Sequence, residues 1–166
     1  MRRSILYVLV ISFLTAGGFA QSNGTEVHPK AWGRVFFAPG VEADWGETAS
    51  FFAVGTGADV PLFESPLAVS LELAYLAPFS AAGTGLGAFS PGASYSFGHG
   101  RTRPFATGGY TLLFRDETAS GFYLGGGVNH WMSELWGPGV EVRDAVFSFS
   151  DANTHFVQFR ANLLLH

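Results

Sequence analysis

Leu67-Ala68-Val69-Ser70-Leu71-Glu72-Leu73-Ala74-Tyr75 is two lists of residues dealt alternately. Each odd position is large and apolar, and each even position is small or charged. Side chains of a strand leave by opposite faces in turn, so this period of two predicts a strand with two unlike faces. The same split recurs at 89–98, 139–145 and 156–165. Around these stretches the turn residues mark eight strands, at 32–41, 50–60, 67–76, 85–97, 103–114, 121–131, 136–147 and 154–165. Segments of about ten residues, even in number and joined by short connections, predict an all-β, eight-stranded antiparallel up-and-down transmembrane β-barrel. Pro39, Pro91 and Pro138 fall inside strands. A closed barrel offers no free edge to a residue that lacks an amide donor, so bulges are expected there.

Composition places the apolar face on the outside. Only 13% of the residues are charged, against 16% aromatic and 22 glycines. About 25% charged is usual for a soluble domain. Beyond the N-terminal region no unbroken apolar run is long enough for a spanning helix, so strands must close on themselves to hide their backbone from lipid. The outward list holds Phe52, Val54, Val60, Leu67, Val69, Leu71, Leu73, Tyr75, Phe89, Tyr95, Phe97, Tyr110, Leu112, Phe122, Leu124, Val140, Val142, Val157, Phe159, Leu163 and Leu165. The inward list holds Gly55, Gly57, Ser70, Ala74, Gly92, Ser94, Ser96, Gly125, Gly127 and Asn129, small enough for a narrow lumen. A soluble barrel carrying an apolar ligand would reverse these faces and need outer charges that this chain lacks. Trp32, Trp131 and Trp136 fall at strand ends, the depth at which amphipathic aromatics meet a membrane interface.

Met1-Arg2-Arg3, an uncharged run at 4–19, and small residues at Gly18 and Ala20 form the pattern of a secretory signal peptide. The expected organisation is a signal at 1–20 cut after Ala20, a periplasmic leader at 21–31, and a barrel at 32–166. Arg2 and Arg3 leave with the signal, so the exported chain keeps seven basic and thirteen acidic residues. That is no footprint for nucleic acid. There is no cysteine, hence no disulfide or thiolate metal site. The five histidines show no ligand spacing, and no cofactor is expected. Glu42, Asp44 and Glu47 are read as a solvated loop rather than a cation site, and His99 as a solvated turn residue.

Asp59, Glu72, Glu141, Arg143 and Arg160 share the inward face with the small residues, and Arg34 joins them. Three acids against three bases in a narrow lumen must pair, because a bare buried charge is very costly. Arginine suits the task, since its fork grips carboxylates in bidentate fashion. Strands seven and eight are neighbours, so Arg160 can meet Glu141. Eight strands enclose a space that side chains fill, so these six residues are expected to close the lumen rather than conduct. Arg160→Ala should then destabilise the barrel more than Glu117→Ala.

Arg103-Pro104-Phe105, Gly108-Gly109-Tyr110, Gly125-Gly126-Gly127-Val128, Val140-Glu141-Val142-Arg143-Asp144 and Phe159-Arg160 follow one another at hairpin spacing. Their order resembles the small outer-membrane β-barrel domain family, the membrane half of outer-membrane protein A and its short relatives. The resemblance covers roughly 32–166 and is clearest from 103 on. It implies an interior acid–base cluster at Glu72, Glu141, Arg143 and Arg160. It also implies an outer-membrane location in a diderm bacterium, contact with outer-membrane lipid, and a barrel-assembly machinery as partner during biogenesis. Such barrels usually end in an aromatic residue, whereas this chain ends Leu163-Leu164-Leu165-His166. An imperfect assembly signal or a truncated chain is expected from that, and cell-wall tethering through a peptidoglycan-binding domain after strand eight is not expected.

His130, Ser133 and Glu134 are the residue types of a lipid deacylase, the rival reading. Residues three apart on a strand face opposite ways, and Ser133 falls in a turn, so the trio is not expected to assemble. The resulting reading is a monomeric outer-membrane barrel with a structural or surface role and no catalysis.

Overall fold

Alternation becomes geometry in a computed structural model that describes residues 31–43, 48–63, 65–98, 100–115, 118–149 and 152–166. The expected signal peptide and its cleavage site, the leader through Lys30, and Asp44, Glu47, His99 and Glu117 lie outside these residues. Eight strands follow in order: β1 (Trp32–Ala43), β2 (Thr48–Pro61), β3 (Leu67–Pro78), β4 (Leu86–Ser96), β5 (Thr102–Phe114), β6 (Thr118–His130), β7 (Trp136–Phe149) and β8 (Ala152–Leu165). A short 3-10 turn, Ala82–Thr84, sits in the β3–β4 connection. Each strand pairs antiparallel with the next, and β1 pairs with β8, so the sheet is a closed up-and-down barrel. The β2–β3, β4–β5 and β6–β7 turns share one end with the start of β1 and the end of β8. The other four connections share the opposite end, called the upper end below.

Burial alternates as the sequence does, with the polarity inside out. On β1, Arg34, Phe36 and Ala38 are buried while Val35 and Phe37 are exposed. Phe122, Leu124 and Val140 stand out most on the outer face, at 71%, 73% and 62% exposure. By contrast Glu72, Glu141 and Arg143 are no more than 2% exposed. An apolar exterior around a charged interior is the arrangement of a transmembrane barrel.

The prolines do not produce bulges. Pro39 pairs with Phe52 and Pro91 with Leu71, each without a change of register. What lapses is the ladder on the strand's other side. β1–β8 pairing stops at Phe37↔Ala161 and resumes in the same register at Gly40↔Gln158. β4–β5 pairing skips from Phe89↔Leu112 to Gly92↔Gly109 in the same way. Pro138 pairs with Leu163, just below the last β6–β7 pair, Asn129↔Gly139. At Pro39 and at Pro91 two residue pairs drop out of one ladder, which is less disruptive here than inserting a residue.

The lumen is not lined by small residues alone. In its upper part Phe36, Phe51, Leu76, Leu113, Tyr123 and Phe147 form a buried apolar cluster, with Phe156 against it. The inward glycines make room for these rings. A Cβ on Gly55 would come within 2.5 Å of Phe36 Cζ, and one on Gly121 within 2.7 Å of Phe147 Cδ1. Trp32 and Trp131 also turn inward instead of facing the interface. Their rings meet edge to face, centroids 6.4 Å apart, and His166 stacks on Trp131 at 4.4 Å. Both tryptophans fall on inward rows, with Arg34 and Asn129, and parity outweighs the preference for the interface. Trp136, on an outward row, remains exposed.

Candidate functional site

Glu72 is the hub of the lumen. It projects from β3 on the same inward row as Ser70, and all three inward arginines reach it. Arg143, from β7 on the far wall, donates Nη1 to Oε2 and Nη2 to Oε1, both at 2.8 Å. Arg160, from β8, donates Nη1 to Oε2 at 2.8 Å. Arg34, from β1, donates Nη2 to Oε1 at 2.6 Å and to Ser70 Oγ at 2.8 Å. One carboxylate facing three guanidiniums is not balanced alone, and the other two acids supply what is missing.

Glu141 accepts from Arg143 Nε at 2.6 Å and stands 3.8 Å from Arg160 Nη1. Asp59 lies 3.3 Å from Arg34 Nη1 and accepts from Ser94 Oγ at 3.1 Å. All six residues named from the sequence therefore meet in one buried cluster, three charges of each sign. The Arg160–Glu141 approach is its loosest contact, since Arg160 turns toward Glu72 and its Nε donates to Gln158 Oε1 at 3.0 Å.

The register explains the meeting. Glu72 pairs with Gly57, and Arg34 pairs with the same Gly57 from the other side. A Cβ on Gly57 would lie 2.8 Å from Glu72 Cγ and 3.2 Å from Arg34 Nε. Gly125, the partner of Arg143, and Gly127, the partner of Glu141, clear the opposite wall.

Three partners escaped the sequence reading. The Arg143 guanidinium lies over the Tyr123 ring at 4.1 Å, and that of Arg160 over Phe36 at 4.0 Å. Cation–π contacts of this kind join the charged layer to the apolar layer above it. Gln158 is the third. The only signal for Phe36 and Tyr123 was their place in doublets, Phe36-Phe37 and Phe122-Tyr123, where one large residue must face inward. A void of about 20 Å³ above the cluster touches Ser90, Thr111, Gln158, Arg143 and Arg160. It is large enough for about one water.

The proposed deacylase trio does not come together. His130 Nδ1 is 2.8 Å from Thr102 Oγ1. Ser133 Oγ accepts the amides of Leu135 and Trp136 at 3.2 and 3.3 Å, closing the β6–β7 turn. Among the described residues no hydrogen bond joins His130 to Ser133, and no group of acids and histidines forms a metal-binding set.

No family model matches the chain, and no curated protein does. Solved structures do. Neisserial surface protein A (NspA) superposes with a TM-score of 0.72 at 14% identity, over 84% of this chain and 99% of that one. The outer membrane enzyme PagL follows at 0.58 and 16%, over 78% and 97%. The N-terminal β-barrel domain of Pseudomonas aeruginosa OprF gives 0.54 and 11%, over 80% and 97%. At these identities the likeness is one of fold, and the fold is that of the small eight-stranded outer-membrane barrels.

Proposed function

We propose that the protein is a monomeric outer-membrane barrel with a structural or surface role, and that the six-residue ion network closes its lumen. The observation that carries this is the threefold grip on Glu72 from β1, β7 and β8, with aromatic side chains packed above it and Trp32 and Trp131 below. An ion would have to break buried pairs to pass. Lipid surrounds the apolar wall in this reading, and the barrel-assembly machinery inserts the chain after a signal at 1–20 is removed. The charged lumen binds nothing and performs no chemistry.

Charges inside and hydrocarbon outside weigh against a soluble ligand carrier. PagL, an enzyme on the same fold, leaves room for chemistry on a barrel of this kind, but His130, Ser133 and Glu134 do not supply it here. The test is conductance of the refolded protein in planar bilayers, together with heat-modifiable gel mobility and cell fractionation. The expected result is a boiling-dependent mobility shift, recovery with outer membranes, and no steady conductance. A stable ohmic channel in the wild-type protein would remove the closed lumen from consideration.

A further inference from the structure

The network above absorbs every inward acid on the middle of the wall and leaves one carboxylate unexplained. Asp144 sits on the outward row of β7, between Val142 and Val146. Among the described residues it is the only acid on the outward face of a strand. Its Oδ2 lies 2.9 Å from Nδ1 of His155, which is on the outward row of β8. Both side chains are open to the surroundings, at 42% and 48% exposure. An ionised carboxylate can only accept, so the imidazole carries its proton on Nδ1 and keeps Nε2 as an acceptor. No other bond to the His155 ring occurs among the described residues.

Below the pair the outer side chains leave a shallow, open depression. A groove of about 520 Å³ runs across β1, β8, β7 and β6, with Phe37, Val128, Val142 and Phe159 as its sides and Gly126 and Ala161 as its floor. Val142 pairs with Phe159 at its upper edge. The next outward pair above is Asp144 with Val157, and the one above that is Val146 with His155. An open apolar groove thus ends two outward pairs below an oriented base.

We propose that this outer face of β7–β8 is a hydrolytic site for acyl-ester lipids, with the fatty chain in the groove and its ester at His155. His155 Nε2 takes a proton from water as the water oxygen bonds to the ester carbonyl carbon. The tetrahedral intermediate collapses, the carbon–oxygen bond to the alcohol breaks, and the leaving oxygen takes the proton back from His155. Ester and water become fatty acid and alcohol, with no other reactant. Asp144 is a positioning residue: it holds the ring in the tautomer that leaves Nε2 basic. Among the described residues, the side chains around the ring on β7, β8 and β1 are Val146, Val157, Val41 and Ala43, with Ser148 and Asn153 above. None of these is charged, and Asp144 is the carboxylate bonded to the ring.

The inference rests on the outer wall meeting lipid, which gel mobility reports independently of turnover. The full chain is refolded into vesicles of phosphatidylethanolamine and lipid A, and released fatty acid is measured in water enriched in oxygen-18. The expected results are release above protein-free vesicles, with one label in the acid. His155→Gln should lose at least a hundredfold in rate with its mobility shift intact. His130→Gln, at the other end of the barrel, should match the wild type. Asp144→Asn should lose about tenfold in kcat with KM unchanged, because the amide no longer holds the ring in one tautomer, and Asp144→Glu should recover part of the rate. A correctly folded wild-type barrel that releases no fatty acid overturns the proposal. So does full activity in His155→Gln, loss of activity in His130→Gln, or full activity in Asp144→Asn.

Discussion

Arg143 and Glu72 clasp each other across the full width of the barrel, through two parallel hydrogen bonds of 2.8 Å between strands four places apart. The contact ties opposite walls, so it resists flattening of the cylinder as well as sliding of neighbouring strands. A bidentate fork has one good orientation, and that orientation holds β3 and β7 at a set height to each other.

Neutralising the hub should cost more than any single pair suggests. Glu72→Gln leaves Arg34 with Asp59 and Arg143 with Glu141, but Arg160 keeps only the neutral Gln158 and a carboxylate at 3.8 Å. Breaking a buried pair from one side costs about 3–5 kcal/mol. Urea midpoints of the barrel in vesicles should fall accordingly, while Glu134→Ala, exposed in the β6–β7 turn, should leave the midpoint unchanged. Coincident midpoints would mean that the cluster contributes nothing to stability.

Gly57 should tolerate no side chain. Its missing Cβ is the gap through which Glu72 and Arg34 meet, and the backbone oxygen of Leu71 lies 2.9 Å from that position. Gly57→Val should therefore destabilise about as strongly as removing one of the charges, by roughly 3 kcal/mol on the scale of overpacked and broken buried sites. Equal urea midpoints for the variant and the wild type would show that the wall can yield.

The lipid face should reject charge according to depth. Leu71 is 44% exposed near the middle of β3, on the wall opposite Asp144, and flanked by Val69 and Leu73. Leu71→Arg should lower the stability of the barrel in vesicles by about 2–4 kcal/mol, the range for an arginine at the membrane midplane. Unchanged stability would argue that this surface meets water.

The tryptophans should divide by face in fluorescence. In variants that keep one tryptophan each, brominated lipid should quench Trp136 strongly and Trp131 weakly, because the Trp131 ring is packed between Trp32 and His166 inside the lower mouth. Equal quenching would put Trp131 outside.

Periodicity made most of the barrel legible before any coordinates. β3 and β7 alternate cleanly, and their inward charges could be named by counting. The reading weakened where two large residues stand side by side. At Phe51-Phe52 and Phe156-Val157 the outward residue was named correctly, as Phe52 and Val157, but the large partner that this turns inward was not counted into the lumen. The apolar cap over the ion network was missed for that reason. Trp32 and Trp131 were placed by chemical preference when parity was the stronger guide. The prolines misled because a strand can skip a bond on one side and keep its register, which composition does not reveal. Asp144 and His155 drew no notice because they lie on adjacent strands, eleven positions apart in sequence, and meet on a diagonal.

One of those skipped bonds falls where the first strand meets the last. Pro39 leaves the β1–β8 closure without pairing between Phe37↔Ala161 and Gly40↔Gln158, so this junction is held by fewer backbone links than a full ladder would give. If the cylinder opens sideways, as it must have been open before its last strand docked, it parts most easily along this line. Amide protons of β8 near Phe159 and Ala161 should then exchange with deuterium sooner than those at the middle of β5–β6, where pairing runs unbroken from Thr102 to Phe114.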